Sequence, residues 1–137
     1  MTKTPPPARE LRSLGRKVKT PVSPQRARLE TFTNAYPDRE YWVNFDCPEF
    51  TSLCPVTGQP DFGRITIEYI PAARCIESKS LKLYLGSFRN HGSFAESIVN
   101  EIRDKIAKAC QPLRLVVTGD FTARGGIGIR VTATYPQ

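Results

Sequence analysis

A thiol and a carboxylate lie close together in a segment whose other residues favour a turn. Cys54 and Asp61 each adjoin a proline, and Thr57-Gly58 lies between them. Proline fixes φ and removes a backbone donor, whereas glycine permits turns that other residues resist. The segment therefore predicts a shaped loop that presents both groups. A nucleophile beside a proton donor is the minimum requirement for covalent catalysis with acid assistance.

Both residues also have ordinary structural interpretations. Free cysteine is among the most buried residue types, so Cys54 taken alone is as readily a core thiol. Asp61, which follows Gln59-Pro60, is equally suited to a turn. The residue types and their spacing therefore leave the catalytic and the structural interpretations open.

The positive charge of the chain is concentrated at its N-terminus. The formal net charge is +7, and residues 1–28 carry eight Lys or Arg against Glu10 alone, so residues 29–137 sum to zero. The first segment is rich in Pro, Lys, Arg and Ser, which predicts a flexible basic arm (1–28) before a single domain (29–137). The neutral domain gives poor support to a polynucleotide groove, although the arm itself could contact RNA or an acidic partner.

The cysteine pattern indicates reduced thiols rather than a metal site. The four cysteines lack the paired C-x-x-C of structural zinc sites, and we find no apolar leader or membrane-length run. We therefore expect a cytoplasmic protein without disulfides and without a metal. These cysteines are Cys47, Cys54, Cys75 and Cys110.

Alternating hydrophobicity dominates the domain and predicts half-buried antiparallel strands. One segment instead has helical spacing, from Phe94 to Ala109, with Ser93 and Glu96 as a capping box and Gln111-Pro112 as its end. A shorter helix is expected around residues 49–53. The predicted strands are 40–45, 64–70, 80–85, 113–118 and 127–134.

These elements predict an α+β domain with an antiparallel sheet and a long helix on one face. Such a sheet has free edges and much surface to cover, and proteins commonly cover both by joining further subunits. We therefore expect a homo-oligomer.

Four segments together resemble the NADPH-dependent 7-cyano-7-deazaguanine reductases, the nitrile reductases of queuosine biosynthesis. The Glu77–Tyr84 segment meets every position of the family signature, and Cys54–Phe62 resembles the catalytic loop. Phe88–Gly92 and Arg124–Gly126 resemble two further family segments. The similarity covers the chain from Leu29 onward and fits the short, single-module branch.

The resemblance implies the tunnelling fold, in which an antiparallel sheet carries helices on one face and subunits form a ring with active sites between them. It implies that the Cys54 thiolate adds to the nitrile to form a thioimidate and that Asp61 donates a proton. NADPH then delivers hydride twice, which gives the primary amine 7-aminomethyl-7-deazaguanine for tRNA modification. We expect no direct binding to tRNA or to a membrane.

The resemblance also assigns binding residues. The substrate contacts are implied to be Ile76, Glu77, Ser78, Ala95 and Glu96. Ala95 departs from the family, since many relatives have His there, which leaves the role of this position open. On spacing alone, Glu96 is better explained as the capping residue after Ser93.

The implied NADPH contacts are Lys79, Lys82 and Arg124, because both cation types bind phosphate. The lysines are equally consistent with a solvated strand face. No G-x-G-x-x-G motif follows a predicted strand, so a dinucleotide-binding α/β domain is not indicated. Two other functions stay open: a zinc-dependent cyclohydrolase of the same fold, and a non-enzymatic protein that associates with RNA through its arm.

Overall fold

Two antiparallel sheets and two helices make up the structure, a computed structural model that describes residues 21–137. A short 3-10 helix at Ser87–Asn90 links the two α-helices. In chain order the elements are β1 (Thr31–Thr33), β2 (Val43–Leu53), β3 (Pro60–Ile70), β4 (Arg74–Ile76), α1 (Ser78–Gly86), α2 (Ala95–Cys110), β5 (Arg114–Arg124) and β6 (Ile127–Tyr135).

The main sheet has the order β2-β3-β5-β6, and all its neighbours are antiparallel. Leu53 pairs with Pro60, and Gly63 pairs with Phe121, so the last residues of β5 lie at the same end of the sheet as the β2–β3 connection. The register shifts between Phe121 and Arg124, which indicates a bulge at that end. Strands β1 and β4 form a separate small sheet. The fold thus collects Cys54, Asp61 and Arg124 at one end of the main sheet.

The hydrophobic core lies between one face of the main sheet and the helices. Helix α2 buries a stripe that includes Ile98, Ile102 and Ile106, each 1% exposed or less, against strand residues such as Ile67 and Val117. Each fully buried side chain of this size stabilises the fold by about 1.5–3 kcal/mol. The α+β prediction is confirmed.

Several predicted elements are confirmed. The strands predicted at 64–70, 113–118 and 127–134 lie within β3, β5 and β6, or one residue from their ends. The predicted long helix is α2, and it ends at Gln111, which has the left-handed φ of 45° before Pro112. A proline cannot continue the helix, as the sequence indicated.

The strand predicted at 80–85 is wrong, because these residues belong to helix α1. Leu81, Leu83 and Leu85 alternate, but Leu81, Tyr84 and Leu85 also recur at helical spacing, and these three are the buried ones. Glu77 decides between the two patterns, because its carboxylate accepts hydrogen bonds from the first free N–H groups of the helix. Lys79 and Lys82 therefore lie on a helix and not on a strand.

Three smaller predictions are also wrong. Residues 49–53 continue strand β2 after a bulge between Cys47 and Phe50, where we predicted a short helix. The capping box is not formed, because Phe94 is the N-cap of α2 and makes no side-chain capping bond. The strand predicted to begin at residue 40 is β2, which begins at Val43.

Most of the predicted basic arm, residues 1–20, lies outside the described residues. Within the described part, Ala27 belongs to the core at 4% exposure. Its carbonyl accepts a hydrogen bond of 2.6 Å from Lys105 Nζ on α2. No helix in residues 21–137 is long and apolar enough to cross a membrane.

Candidate active site

The connection between β2 and β3 forms a closed turn around Cys54. The Cys54 N–H donates to the Gln59 carbonyl at 2.8 Å, and the Gly58 N–H donates to the Cys54 carbonyl at 2.9 Å. Gly58 has a φ of +72°, a conformation that residues with a Cβ rarely adopt. Asp61 follows in β3, paired with Ser52. The turn therefore holds the thiol next to the strand end that carries the carboxylate.

Arg124 connects this turn to the end of β5. Its Nη1 donates to Asp61 Oδ1 at 2.6 Å, and its Nη2 donates to Gln59 Oε1 at 2.6 Å. The same guanidinium faces the thiol of Cys54. Asp61, which the sequence paired with Cys54, is thus joined to it through Arg124. The resemblance had pointed to Arg124 only as a cofactor contact.

The environment of Cys54 favours the thiolate. Hydrogen bonds from Thr57, first from its side chain and then from its backbone, lower the pKa of the Cys54 thiol from 9.0 to about 7, with further contributions from Val56 and Arg124. The half-buried thiol is therefore substantially ionised at neutral pH. A thiolate is the nucleophilic form of cysteine, so these hydrogen bonds prepare Cys54 for attack.

The other three thiols have raised pKa values, unlike Cys54. Burial raises the pKa of Cys110 to about 12, and burial also raises the pKa values of Cys47 and Cys75. These thiols are protonated at neutral pH, which is typical of structural cysteines. Cys54 is the reactive thiol among the four.

The segment before α2 is hydrogen-bonded to the strand that ends at Cys54. The Leu53 N–H donates to the His91 carbonyl at 3.1 Å, and the Ser93 N–H donates to the Leu53 carbonyl at 3.2 Å. Gly92 lies against Pro55, and a Cβ at this glycine would be 3.4 Å from Pro55 Cα. Ala95 and Glu96 follow this segment as the first residues of α2, so their helix begins near the thiol loop.

The two glutamates that the resemblance assigned to substrate have different environments. Glu77 is 4% exposed, and its carboxylate accepts from the N–H groups of Lys79 at 2.6 Å and Ser80 at 2.7 Å. Glu96 is exposed on the first turn of α2, and its carboxylate has no hydrogen-bond partner among residues 21–137. Sequence reasoning missed the capping role of Glu77, although an acidic residue before the first residues of a helix is a recognisable signal for it.

A cavity of about 480 Å³ lies between β2 and α1, away from the thiol. Its lining includes Ser78, Lys82 and Arg89, together with the carboxylate of Glu49, but not Cys54 or Asp61. Backbone atoms of Ile76, the remaining predicted contact, are used within the fold, since its N–H donates to the Tyr69 hydroxyl at 2.9 Å. The predicted residues therefore fall in three places: the thiol loop, the start of α1 and the start of α2.

The comparisons with known proteins agree on one family. The family model described as QueF-like protein matches residues 60–137, more than half of the chain. The chain belongs to this family. Within residues 21–137, no three His, Cys, Asp or Glu side chains converge to hold a metal ion.

Relatives of the QueF-like chain carry a consistent name. It is 54% identical over 126 residues to the NADPH-dependent 7-cyano-7-deazaguanine reductase of Bacteroides thetaiotaomicron, which covers 92% of this chain and 83% of the relative. A protein of the same name from Anaeromyxobacter is 54% identical over 117 residues, or 85% of this chain and 95% of the relative.

Among solved structures, the archaeosine synthase QueF-Like in the apo form has a TM-score of 0.61 at 21% identity. The match covers 69% of this chain and 91% of that one, and it supports the fold alone.

Proposed function

We propose that this chain is an NADPH-dependent nitrile reductase that converts 7-cyano-7-deazaguanine into 7-aminomethyl-7-deazaguanine. The observation that carries the proposal is the Cys54 thiol, which has a pKa of about 7 and shares Arg124 with the carboxylate of Asp61. Nitrile reduction needs this combination, because a nitrile carbon reacts slowly until a nucleophile has added to it. The names of relatives above 50% identity support the same substrate and the same cofactor.

The residues perform the first step without any further reagent. The Cys54 sulfur forms a bond to the nitrile carbon, one C–N π bond breaks, and the nitrogen takes up a proton. Asp61 delivers that proton, which is balanced by the one lost from the thiol, and the product is a thioimidate on Cys54. When bound, NADPH supplies the hydride, and two equivalents reduce the carbon to the amine and release the thiolate.

Glu96 is the group that holds the purine-like base. Its exposed carboxylate has two oxygens available to accept from a ring N–H and an exocyclic amine, and such charge-assisted pairs are strong and directional. Ser78 adds a contact at the start of α1, whereas the Ile76 N–H is already bonded to the Tyr69 hydroxyl and the carboxylate of Glu77 maintains that helix end. Ala95 leaves the position before Glu96 without a polar side chain.

The cavity between β2 and α1 fits the phosphate-bearing cofactor. The side chains of Lys82 and Arg89 supply positive charge that suits phosphate, and the lining also includes the acidic residues Asp46 and Glu49. Lys79 lies on the first turn of α1. These residues would bind and orient the cofactor.

The complete site forms between subunits. The thiol loop and the cofactor cavity lie in different places on one chain, so a second copy is needed to bring the groups together. This supports the oligomeric ring of the tunnelling fold. The proposed enzyme is cytoplasmic and does not bind tRNA directly, and its N-terminal arm ends before Ala27, which belongs to the core.

The test follows both cofactor consumption and the covalent intermediate. Protein, 7-cyano-7-deazaguanine and NADPH should together lose the absorbance of the reduced cofactor, with two NADPH consumed per nitrile. Without NADPH, mass spectrometry should show a substrate adduct on the peptide that contains Cys54. Cys54→Ala should abolish both signals, whereas Cys47→Ala, a matched change of a half-buried thiol on β2, should keep the adduct. Folded protein that forms no adduct and oxidises no NADPH would refute the proposal.

A further inference from the structure

The guanidinium of Arg124 lies between the two groups that the proposed reaction uses. It donates one bond of 2.6 Å to the Asp61 carboxylate and a second of 2.6 Å to the Gln59 amide oxygen. The carbonyl of Gln59 in turn accepts from the Cys54 N–H at 2.8 Å. One side chain from β5 thus fixes the carboxylate and the loop that carries the thiol.

We propose that Arg124 is the positioning residue of the Cys54–Asp61 pair and the shared counter-charge for the single negative charge that the pair carries. This inference rests on the proposed function, because it concerns the first step of that reaction. It gives Arg124 a role before the cofactor takes part, in addition to the phosphate contact that the resemblance implied.

The proton balance of the pair explains why one cation serves both groups. Before addition, the pair holds one proton, either as thiol and carboxylate or as thiolate and carboxylic acid. Transfer of that proton from sulfur to Asp61 moves the negative charge from one neighbour of Arg124 to the other. The total charge beside the guanidinium therefore stays constant, and the thiolate forms together with the acid that will protonate the nitrile nitrogen.

The local fold supports this position of Arg124. It is the last residue of β5, next to Gly125 and Gly126, whose φ values are +61° and +83°. The forked guanidinium donates in two directions at once, whereas the ammonium of lysine is a single point charge. The side chain is 43% exposed and contributes no core packing, so replacing it should leave the fold intact.

The other titratable groups around Cys54 come from two elements. Asp61 on β3 accepts a hydrogen bond from Arg124, whose guanidinium also interacts with the thiol. His91 belongs to the segment before α2, and its carbonyl accepts from the neighbouring Leu53 N–H. The variants in the test therefore keep His91 and Asp61 unchanged.

The decisive experiment measures the reactivity of Cys54 without cofactor. Alkylation of Cys54 by iodoacetamide, followed by peptide mass spectrometry across pH, should have its midpoint near pH 7 in the wild type. Arg124→Ala and Arg124→Gln should move this midpoint upward, toward the usual range of thiols. They should also slow adduct formation with 7-cyano-7-deazaguanine several-fold, because Asp61 and the thiol loop lose the guanidinium that holds them together. Arg124→Lys should restore most of the midpoint, because it keeps the charge, but not the adduct rate, because it loses the fork.

The control is Arg130→Gln, which removes a guanidinium that also pairs at 2.6 Å with an aspartate, Asp120, within the same β5–β6 hairpin. It should leave the midpoint and the adduct rate unchanged. If Arg124→Ala keeps the wild-type alkylation midpoint and adduct rate and only raises the KM for NADPH, the inference is overturned. Arg124 would then be a cofactor ligand only. A wild type that forms no adduct would instead refute the proposed function, and the alkylation profile would still test the effect of Arg124 on the thiol.

Discussion

At the scale of single residues, the two glutamates near the helix starts have different roles, one structural and one in ligand binding. Glu77 is buried, and both of its carboxylate oxygens accept hydrogen bonds from backbone N–H groups of α1. Glu96 is exposed and its carboxylate makes no hydrogen bond to the described part of the chain. The first residue therefore stabilises an element, and the second is available to a ligand.

Matched Glu-to-Gln changes should show this difference. Glu96→Gln should weaken the binding of 7-cyano-7-deazaguanine strongly and leave the free energy of unfolding within about 0.5 kcal/mol. Glu77→Gln should lower the free energy of unfolding by about 0.5–2 kcal/mol, because it disturbs the N-cap of α1. Calorimetric titration and thermal unfolding measure the two effects. Equal destabilisation by both changes, with binding kept in Glu96→Gln, would contradict the assignment.

At the scale of elements, the sequence correctly predicted the secondary structure of those segments whose hydrophobic residues follow a single clear period. Strands β3, β5 and β6 alternate, and α2 has a helical stripe, so each pattern admits one interpretation. Helix α1 was missed because its leucines fit both periods and the deciding contact comes from Glu77, outside the pattern.

The residues of the candidate site could be named from the sequence, but their contacts could not. Arg124 and Asp61 lie 63 positions apart, and they meet only because β3 and β5 pair in one register. Local propensity does not encode that register, which follows from how the strands bury their apolar faces together. The sequence thus supplied the residues of the thiol loop and Arg124, but not the contact between them.

A close approach between α2 and the sheet gives a test at this scale. A Cβ on Gly119 would lie 2.6 Å from Val99 Cγ2 and 2.8 Å from Phe121 Cε2, so Gly119→Ala forces the helix and the strand apart. We expect a loss of about 1–3 kcal/mol in the free energy of unfolding, measured by chemical denaturation. Gly128→Ala is the control, because its nearest neighbour would be 3.8 Å away. If Gly119→Ala leaves the free energy of unfolding unchanged, the side chains of Val99 and Phe121 move aside without cost and the prediction is wrong.

At the scale of the whole molecule, the main sheet leaves its two outer strands, β2 and β6, without a further strand partner within residues 21–137. Strand β6 also exposes Ile127 and Ile129, at 69% and 44%. Unpaired edges and exposed apolar side chains of this kind are usually covered by another chain. The edge at β6 is therefore the surface where we expect a second subunit.

Light scattering should accordingly give a mass that is a multiple of 15.4 kDa. Ile129→Glu should lower that mass and leave the circular dichroism spectrum unchanged, because the side chain is outside the core and its charge opposes burial at an interface. Val22→Glu, which changes another exposed apolar side chain away from the sheet, is the control and should keep the wild-type mass. A monomeric wild type would contradict the oligomer.

The low pKa of Cys54 also makes the protein sensitive to peroxide. A half-exposed thiolate reacts with peroxide to form a sulfenic acid, and further oxidation to the sulfinic acid is irreversible. The other three thiols are protonated and therefore slow to capture the sulfenic acid as a disulfide. The hydrogen bonds that prepare Cys54 to attack the nitrile therefore also expose it to oxidation. We expect peroxide to inactivate the protein by oxidising this one sulfur atom.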